Sequence, residues 1–169
     1  IDNGAQGGLD NGYGWYIDDV NLKTGPLEFP NSQQWESGWG DWYADNGTWE
    51  IGVPTEGPDS AYSPDKCAGT NLTGLYTPTT VTRLVSPYFI VPAVTENPRI
   101  ECMHWQNFES ADYGYVQIKE KGTSEWTNIS EQIAYDGSNV WSKLQVMLSE
   151  YAGKEVQIAF YFYAIDNGA

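Results

Sequence analysis

Positive charge and sulfur are both scarce in this chain. Its 169 residues carry only 8 lysines and arginines against 23 acids, a formal net charge of −15, with 1 histidine, 2 cysteines and 2 methionines. So little basic surface excludes nucleic acid as a partner, because phosphate binding needs a basic footprint. No apolar run approaches the roughly 18–20 residues of a membrane helix, so no membrane insertion is expected. No signal-peptide pattern is visible, as in a mature or excised chain. Two cysteines and one histidine argue against zinc. Cys67 and Cys102 either close one disulfide loop of about 35 residues, worth ~3–4 kcal/mol in the chain-entropy model, or stay as buried thiols. Gly-x-Ser-x-Gly is missing. His104 is the one base a triad could recruit, and beside Trp105 on a strand pattern it reads as packed. A glycosidase needs two carboxylates, whose separation a sequence does not give. The chain is therefore read as non-catalytic.

What is abundant is strand-forming residues and turns. Trp 8, Tyr 12 and Phe 5 sit among 18 Gly and 9 Pro, and no long stretch has helical apolar spacing. This composition points to one all-β domain. Alternation predicts strands at 156–163, 115–120, 140–146 and 100–108, and an extended stretch at 81–91 broken by Pro87. Residues 148–154 read as one helical turn with a glycine stop. Loops dominate 40–80, punctuated by Pro54, Pro58, Pro64 and Pro78. The acids are dispersed, which suits a soluble extracellular or cell-surface protein and supplies oxygen ligands for calcium. Asn46, Asn71 and Asn128 each open an Asn-x-Ser/Thr sequon.

Ile1-Asp2-Asn3-Gly4-Ala5 returns at the end as Ile165-Asp166-Asn167-Gly168-Ala169. Either the chain is one period of a tandem array, or its ends play equivalent roles in neighbouring copies, or one turn is used twice. A strand, Gly14-Trp15-Tyr16-Ile17-Asp18-Asp19-Val20-Asn21-Leu22, precedes a linker at 23–26, and a fresh apolar start comes at Leu27-Glu28-Phe29. Three segments result: a terminal strand segment at 1–22, the linker at 23–26 and a domain at 27–169. The strand thus reads as the end of a domain placed before it.

From Trp35 onward the chain resembles the MAM-like jelly-roll modules of secreted bacterial proteins, such as those in immune-inhibitor-A-type peptidases. The resemblance rests on Trp49-Glu50-Ile51-Gly52-Val53-Pro54, Gly57-Pro58-Asp59-Ser60-Ala61-Tyr62-Ser63 and Gly69-Thr70-Asn71-Leu72-Thr73-Gly74-Leu75-Tyr76. Leu84-Val85-Ser86-Pro87, His104-Trp105, Glu109, 112–118, 148–151 and 156–162 continue it. In that family Gly-Trp-Tyr-Ile-Asp-Asp-Val is the last strand; here it is Gly14 to Val20, so the order is circularly offset. The resemblance implies a jelly-roll β-sandwich (MAM-like, concanavalin-like) with an exchanged or permuted first strand. The strand then completes either its own sandwich or that of a neighbouring copy by strand addition, with Gly14, Trp15, Tyr16, Ile17, Val20 and Leu22 as the assembly residues. Identical copies would be the partners, joined head to tail into an open filament or along a multi-module surface protein.

The same resemblance places a structural cation near the acidic pair of that strand. Asp18 or Asp19 is expected at a calcium site with Glu109 and Asp112, and more weakly Glu28 and Glu36; otherwise these acids are solvated or bonded to amides. Strand alternation would point Asp18 and Asp19 to opposite faces. The rival reading is a carbohydrate-binding or adhesion module, with Trp35, Trp39, Trp42 and Tyr43 as a platform for surface glycans unless these rings are packed away.

Overall fold

The computed structural model describes residues 12–23 and 32–165. The repeated pentapeptide apart from Ile165, Glu28 and the linker positions 24–26 lie outside the described residues.

Alternating apolar residues give strands wherever the chain has them, and turns of Gly, Pro and Asn separate them. In chain order these are β1 (Gly14–Lys23), β2 (Tyr43–Ala44), β3 (Glu50–Gly52), β4 (Cys67–Gly69), β5 (Val81–Val85), β6 (Phe89–Ile90), β7 (Arg99–Asn107), β8 (Tyr113–Glu120), β9 (Thr127–Asn128), β10 (Ile133–Ala134), β11 (Ser142–Met147) and β12 (Glu155–Tyr163). They form two antiparallel sheets. One runs β11-β7-β1-β4-β3; the other runs β10-β8-β12-β5-β2, with β6 on β12 and β9 on β8. The sheets face each other as a β-sandwich, in line with the all-β expectation.

The core lies between them. Val156, Ile158, Phe160 and Phe162 of β12 point inward at period two, while Tyr161 and Tyr163 stay half-buried. Trp15 and Ile17 of β1 meet them from the other sheet; Trp15 sits 5.5 Å from Phe160, 5.9 Å from Trp49 and 6.2 Å from Phe108, centroid to centroid. Tyr16 points to the opposite face, where Ala61, Cys67, Leu72 and Trp105 form a second, smaller cluster. Pro87, which has no N–H to give a ladder, separates β5 from β6. The helical turn is a 3-10 turn at Ser149–Tyr151, and Gly153 at φ +78° leads into β12.

The first strand of the chain is the middle strand of its sheet. β1 pairs with β7 from Gly14↔Asn107 to Lys23↔Arg99 and with β4 at Tyr16↔Gly69 and Ile17↔Ala68, so here it fills its own groove. Its start is tied to the last described residue. The Gly12 carbonyl accepts from the Tyr76 amide at 3.2 Å, and the Tyr76 hydroxyl donates to the Asp112 carboxylate, whose other oxygen accepts from the Ile165 amide at 3.0 Å. At the far end, Gln33 and Val20 exchange two backbone hydrogen bonds of 2.8 and 3.1 Å. The residues flanking 24–31 therefore return to one end of the sandwich.

Trp15 is wholly buried among three aromatic rings. Trp15→Ala is expected to cost about 3–5 kcal/mol in urea denaturation. A loss under ~1 kcal/mol would place the ring outside the core.

Candidate functional site

On a regular strand Asp18 and Asp19 would face opposite ways. The register between β1 and β7 shifts between Asp18 and Asn21, and Asp19 sits at φ +48°. This bulge turns both carboxylates to the loop that crosses the outer face of the five-stranded sheet. Asp18 Oδ2 accepts from the Ser63 amide at 3.0 Å, and Asp19 Oδ2 accepts from the Ser63 hydroxyl at 2.8 Å. Asp18 Oδ1 accepts from the Asp19 amide at 2.8 Å, and Asp19 Oδ1 from Gln34 Nε2 at 3.3 Å. Glu36 holds the next turn of the same loop, accepting from the amides of Asp65 (3.1 Å) and Lys66 (2.9 Å).

Asp18 has no exposed surface. Burial raises its pKa from 3.8 to about 7, against the pull of amide bonds from Ser63, Asp19 and Tyr62, and the charge of Asp19 adds to the rise. Glu36 is held below the usual carboxylate range by the Lys66 and Asp65 amides. Burial pushes the Cys67 thiol well up, and the charges of Asp18 and Glu36 push it further. The loop is therefore clamped to β1 by Asp18 and Asp19 of the bulge, while Glu36 holds its next turn from the segment that follows residue 32.

Glu109 and Asp112 do not join this cluster. They lie in the turn between β7 and β8, beyond Asn107, which pairs with Gly14; four residues of β1, about 13 Å, separate that level from Asp18. Asp112 is instead committed to Tyr76 and Ile165, and Glu109 gives its amide to the Tyr76 hydroxyl at 3.1 Å. Among the described residues no group of three or more His, Cys, Asp or Glu has the spacing to hold a metal. The acids expected at one calcium site are thus split between two ends of β1, and Glu28 lies outside the described residues. Asp18 and Asp19 are the pair that converges.

The tryptophan shelf does not form. Trp35, at φ +64°, is 1% exposed and packs edge-on against Trp42 at 5.2 Å; Trp42 in turn stacks on Phe160, and Trp39 is half-buried against the same core. Of the four rings only Tyr43, on β2, is largely exposed. A short turn needs these large side chains to close the sandwich edge, which is why they turn inward.

Cys67 and Cys102 are free and buried, the second of the two states that the sequence left open. They lie on β4 and β7, with β1 between them; two strand spacings put their Cα atoms about 10 Å apart, beyond disulfide reach. Burial raises both thiols well above the ordinary range, so neither is an activated nucleophile. His104 is half-buried on β7 with an unpartnered Nδ1, and burial lowers its pKa while Asp136 opposes the shift. All three sequon asparagines make side-chain hydrogen bonds. Asn46 and Asn128 are exposed; Asn46 donates to the Val81 carbonyl at 2.9 Å, Asn128 accepts from Gln117 at 2.8 Å, and half-buried Asn71 donates to the Leu75 carbonyl at 2.8 Å and accepts from the Thr73 amide. Sequence reasoning missed Ser63 and Tyr76 as site residues, although both stand inside the motifs that carry the family resemblance.

No family model and no solved structure matches the chain. Over 132 residues, 76% of its length, it is 35% identical to Bacillopeptidase F of Bacillus subtilis (strain 168). The matched stretch is 9% of that protein, so the chain is homologous to a small part of a much longer one.

The Asp18 shift has a definite sign. Its folded pKa lies above the unfolded value, so the folded state holds the proton more tightly between pH ~4 and ~7. Stability from this group is greatest below pH 4, falls as pH rises, and is fully lost above ~7; the total is on the order of 4 kcal/mol. In chelator, urea denaturation from pH 5 to 8 should show this decline in the native chain and a flatter profile in Asp18→Asn. Equal slopes would mean that Asp18 does not titrate in this window.

Proposed function

We propose that this chain is a non-catalytic structural module of a longer extracellular protein, and that β1 is the strand by which one copy closes the sheet of another. The observation that carries this reading is the position of β1. It comes first in the chain, yet it is the central strand of its sheet, and its start meets Ile165 through Tyr76 and Asp112. Because Ile165 opens the second copy of the pentapeptide, a further period would bring its own β1 to this same place. Ten residues, 2–11 of that period, would join Ile165 to the position of Gly12, just ahead of β1. Strand addition of this kind supplies ladder hydrogen bonds on both sides and the Trp15 and Ile17 side chains to the core.

Similarity to a small part of Bacillopeptidase F agrees with a module inside a larger chain. It also favours a second reading, in which the module is a non-peptidase part of a peptidase. The two differ only in what lies beyond the module.

Calcium belongs to the proposal as a clamp. Asp18 and Asp19 would hold it, with remaining ligands from carbonyls and water, since two carboxylates fall short of the six to eight oxygens calcium takes. The supporting observation is the buried Asp18 carboxyl, whose hydrogen bonds come from backbone amides and not from a cationic side chain.

Two measurements test the reading. A chain joining 27–169 directly to 6–22 restores the order that the repeat implies, and it should melt at least as high as the native chain. Residues 27–169 alone should be strongly destabilised and should regain structure when a peptide of residues 12–23 is added. No recovery in excess peptide would sink strand donation. Calcium, relative to chelator, should raise the melting temperature at pH 7.5 and do so less in Asp19→Asn; an unchanged melt removes the cation.

A further inference from the structure

One end of the sandwich differs from the rest of the surface. It is the end where β1 finishes, at Lys23↔Arg99, and it gathers the finish of β11 (Met147↔Arg99), the start of β12 and the finish of β8 (Val156↔Glu120), and β6 (Ile90↔Glu155). Four apolar side chains stand open there: Ile90 (64% exposed), Val94 (59%), Met147 (46%) and Tyr88 (44%). Beside them a cleft of about 430 Å³ opens between the sheets, lined by Val20, Trp42, Phe89, Ile100 and Ile158 with polar residues at its mouth.

Charge is also distributed unevenly. Four of the chain's eight basic residues form ion pairs here: Lys121–Glu155 at 2.7 Å, Lys154–Glu120 at 2.6 Å, and Arg99 and Lys143 on Glu101 at 3.2 and 3.1 Å. Four bases and three acids sum to +1; adding Lys23 at the finish of β1, Asp41 at the cleft, and Glu96, Glu125 and Glu150 from the adjoining turns brings the end to −2. About −13 of the net −15 therefore lies elsewhere. Two such anions repel each other over most of their surface, and little net charge opposes contact at this end.

The path of the chain supplies the partner. Lys23 ends β1 at this end, and Gln33 is bonded to Val20 three residues earlier, so the eight residues 24–31 leave and return here. Fully extended, they reach no more than ~27 Å. Any copy that donates β1 is held against this end.

We propose that the end formed by Tyr88, Ile90, Val94 and Met147 is a self-association face that takes the same end of a second copy. This rests on the module reading for the tether, although the face itself needs no strand exchange. Because the tether returns to one end, pairing is end to end and closes as a two-fold contact instead of growing into a straight filament.

The test is the mass of the intact chain by light scattering and sedimentation equilibrium across concentration. A concentration-dependent dimer of the 18.9 kDa chain is expected. Ile90→Asp with Val94→Asp should weaken it at least tenfold, while Val53→Asp with Tyr135→Asp, at exposed apolar positions off this end, should leave it unchanged. Urea denaturation of each variant checks that folding is intact. A native chain that stays monomeric at all concentrations overturns the face, as does a dimer weakened equally by both pairs. Mixing isotope-labelled and unlabelled chains separates the two ideas. Scrambling within minutes supports the face without strand exchange, and scrambling only after unfolding supports the face together with exchanged β1. Neither outcome depends on the peptide-recovery result, so each reading can fail by itself.

Discussion

The middle position of β1 is the constraint on which the rest of the fold depends. An edge strand can fray at the cost of one row of hydrogen bonds, whereas a central strand serves two. Removing β1 would strip the inner edges of β7 and β4 of their partners at once. It would also take Trp15, Ile17 and Val20 from one core and Tyr16 from the other. Buried backbone groups left unpaired are costly, and exposed strand edges invite other strands. The groove therefore demands an occupant of this length and pattern. The chain meets that demand with β1, which precedes in sequence both strands it pairs with.

The bulge at Asp18 and Asp19 joins that central strand to the covering loop. Without the register shift one carboxylate would point into the apolar space between the sheets, where an unpaired charge is expensive. With it, both acids turn outward to Ser63, and the loop they hold lies over Tyr16, Cys67 and Trp105. The arrangement has a cost, because Asp18 is sealed from water and its ionised form is disfavoured near neutral pH. A site that is poorer as a free carboxylate is better suited to whatever positive charge can reach it. The loop clamp and the cation proposal thus share one piece of local geometry.

Much of the sandwich was legible in the sequence because period-two alternation is a direct record of which face is buried. Residues 156–163 read as a strand, 81–91 as two pieces around Pro87, and 148–154 as a turn, and the structure has β12, β5 with β6, and the Ser149–Tyr151 turn there. Alternation assumes an unbroken register, however, and so it misses that Asp19 turns to the same side as Asp18 at the bulge. Neighbour relations across a sheet are likewise absent from a linear pattern. Nothing in the spacing of Cys67 and Cys102 shows that β1 runs between them and holds them apart. The Trp35, Trp39 and Trp42 cluster has the composition of a surface platform and of an edge seal alike; only the left-handed backbone at Trp35 and the stack on Phe160 decide for the seal. Asp112, the acid that the family resemblance places near a cation, bonds here to a tyrosine hydroxyl and the Ile165 amide, partners that no linear pattern announces.

The two ends of the module also bear on how it sits in a longer chain. A stiff head-to-tail rod requires each unit to receive its linker at one end and release it at the other. Here β1 finishes beside Gln33, where the remainder of the module begins, so the linker positions meet. A unit whose attachment points lie side by side can be inserted into a larger protein, or repeated along one, without imposing a direction on its neighbours. Such units hang from their joints, and their mutual orientation is then set by whatever surfaces meet at the joint. In a chain this acidic, few surfaces can meet without repulsion. In the assembly proposed above, the exposed apolar residues and balanced charges beside the joint would therefore matter more than the length of the linker.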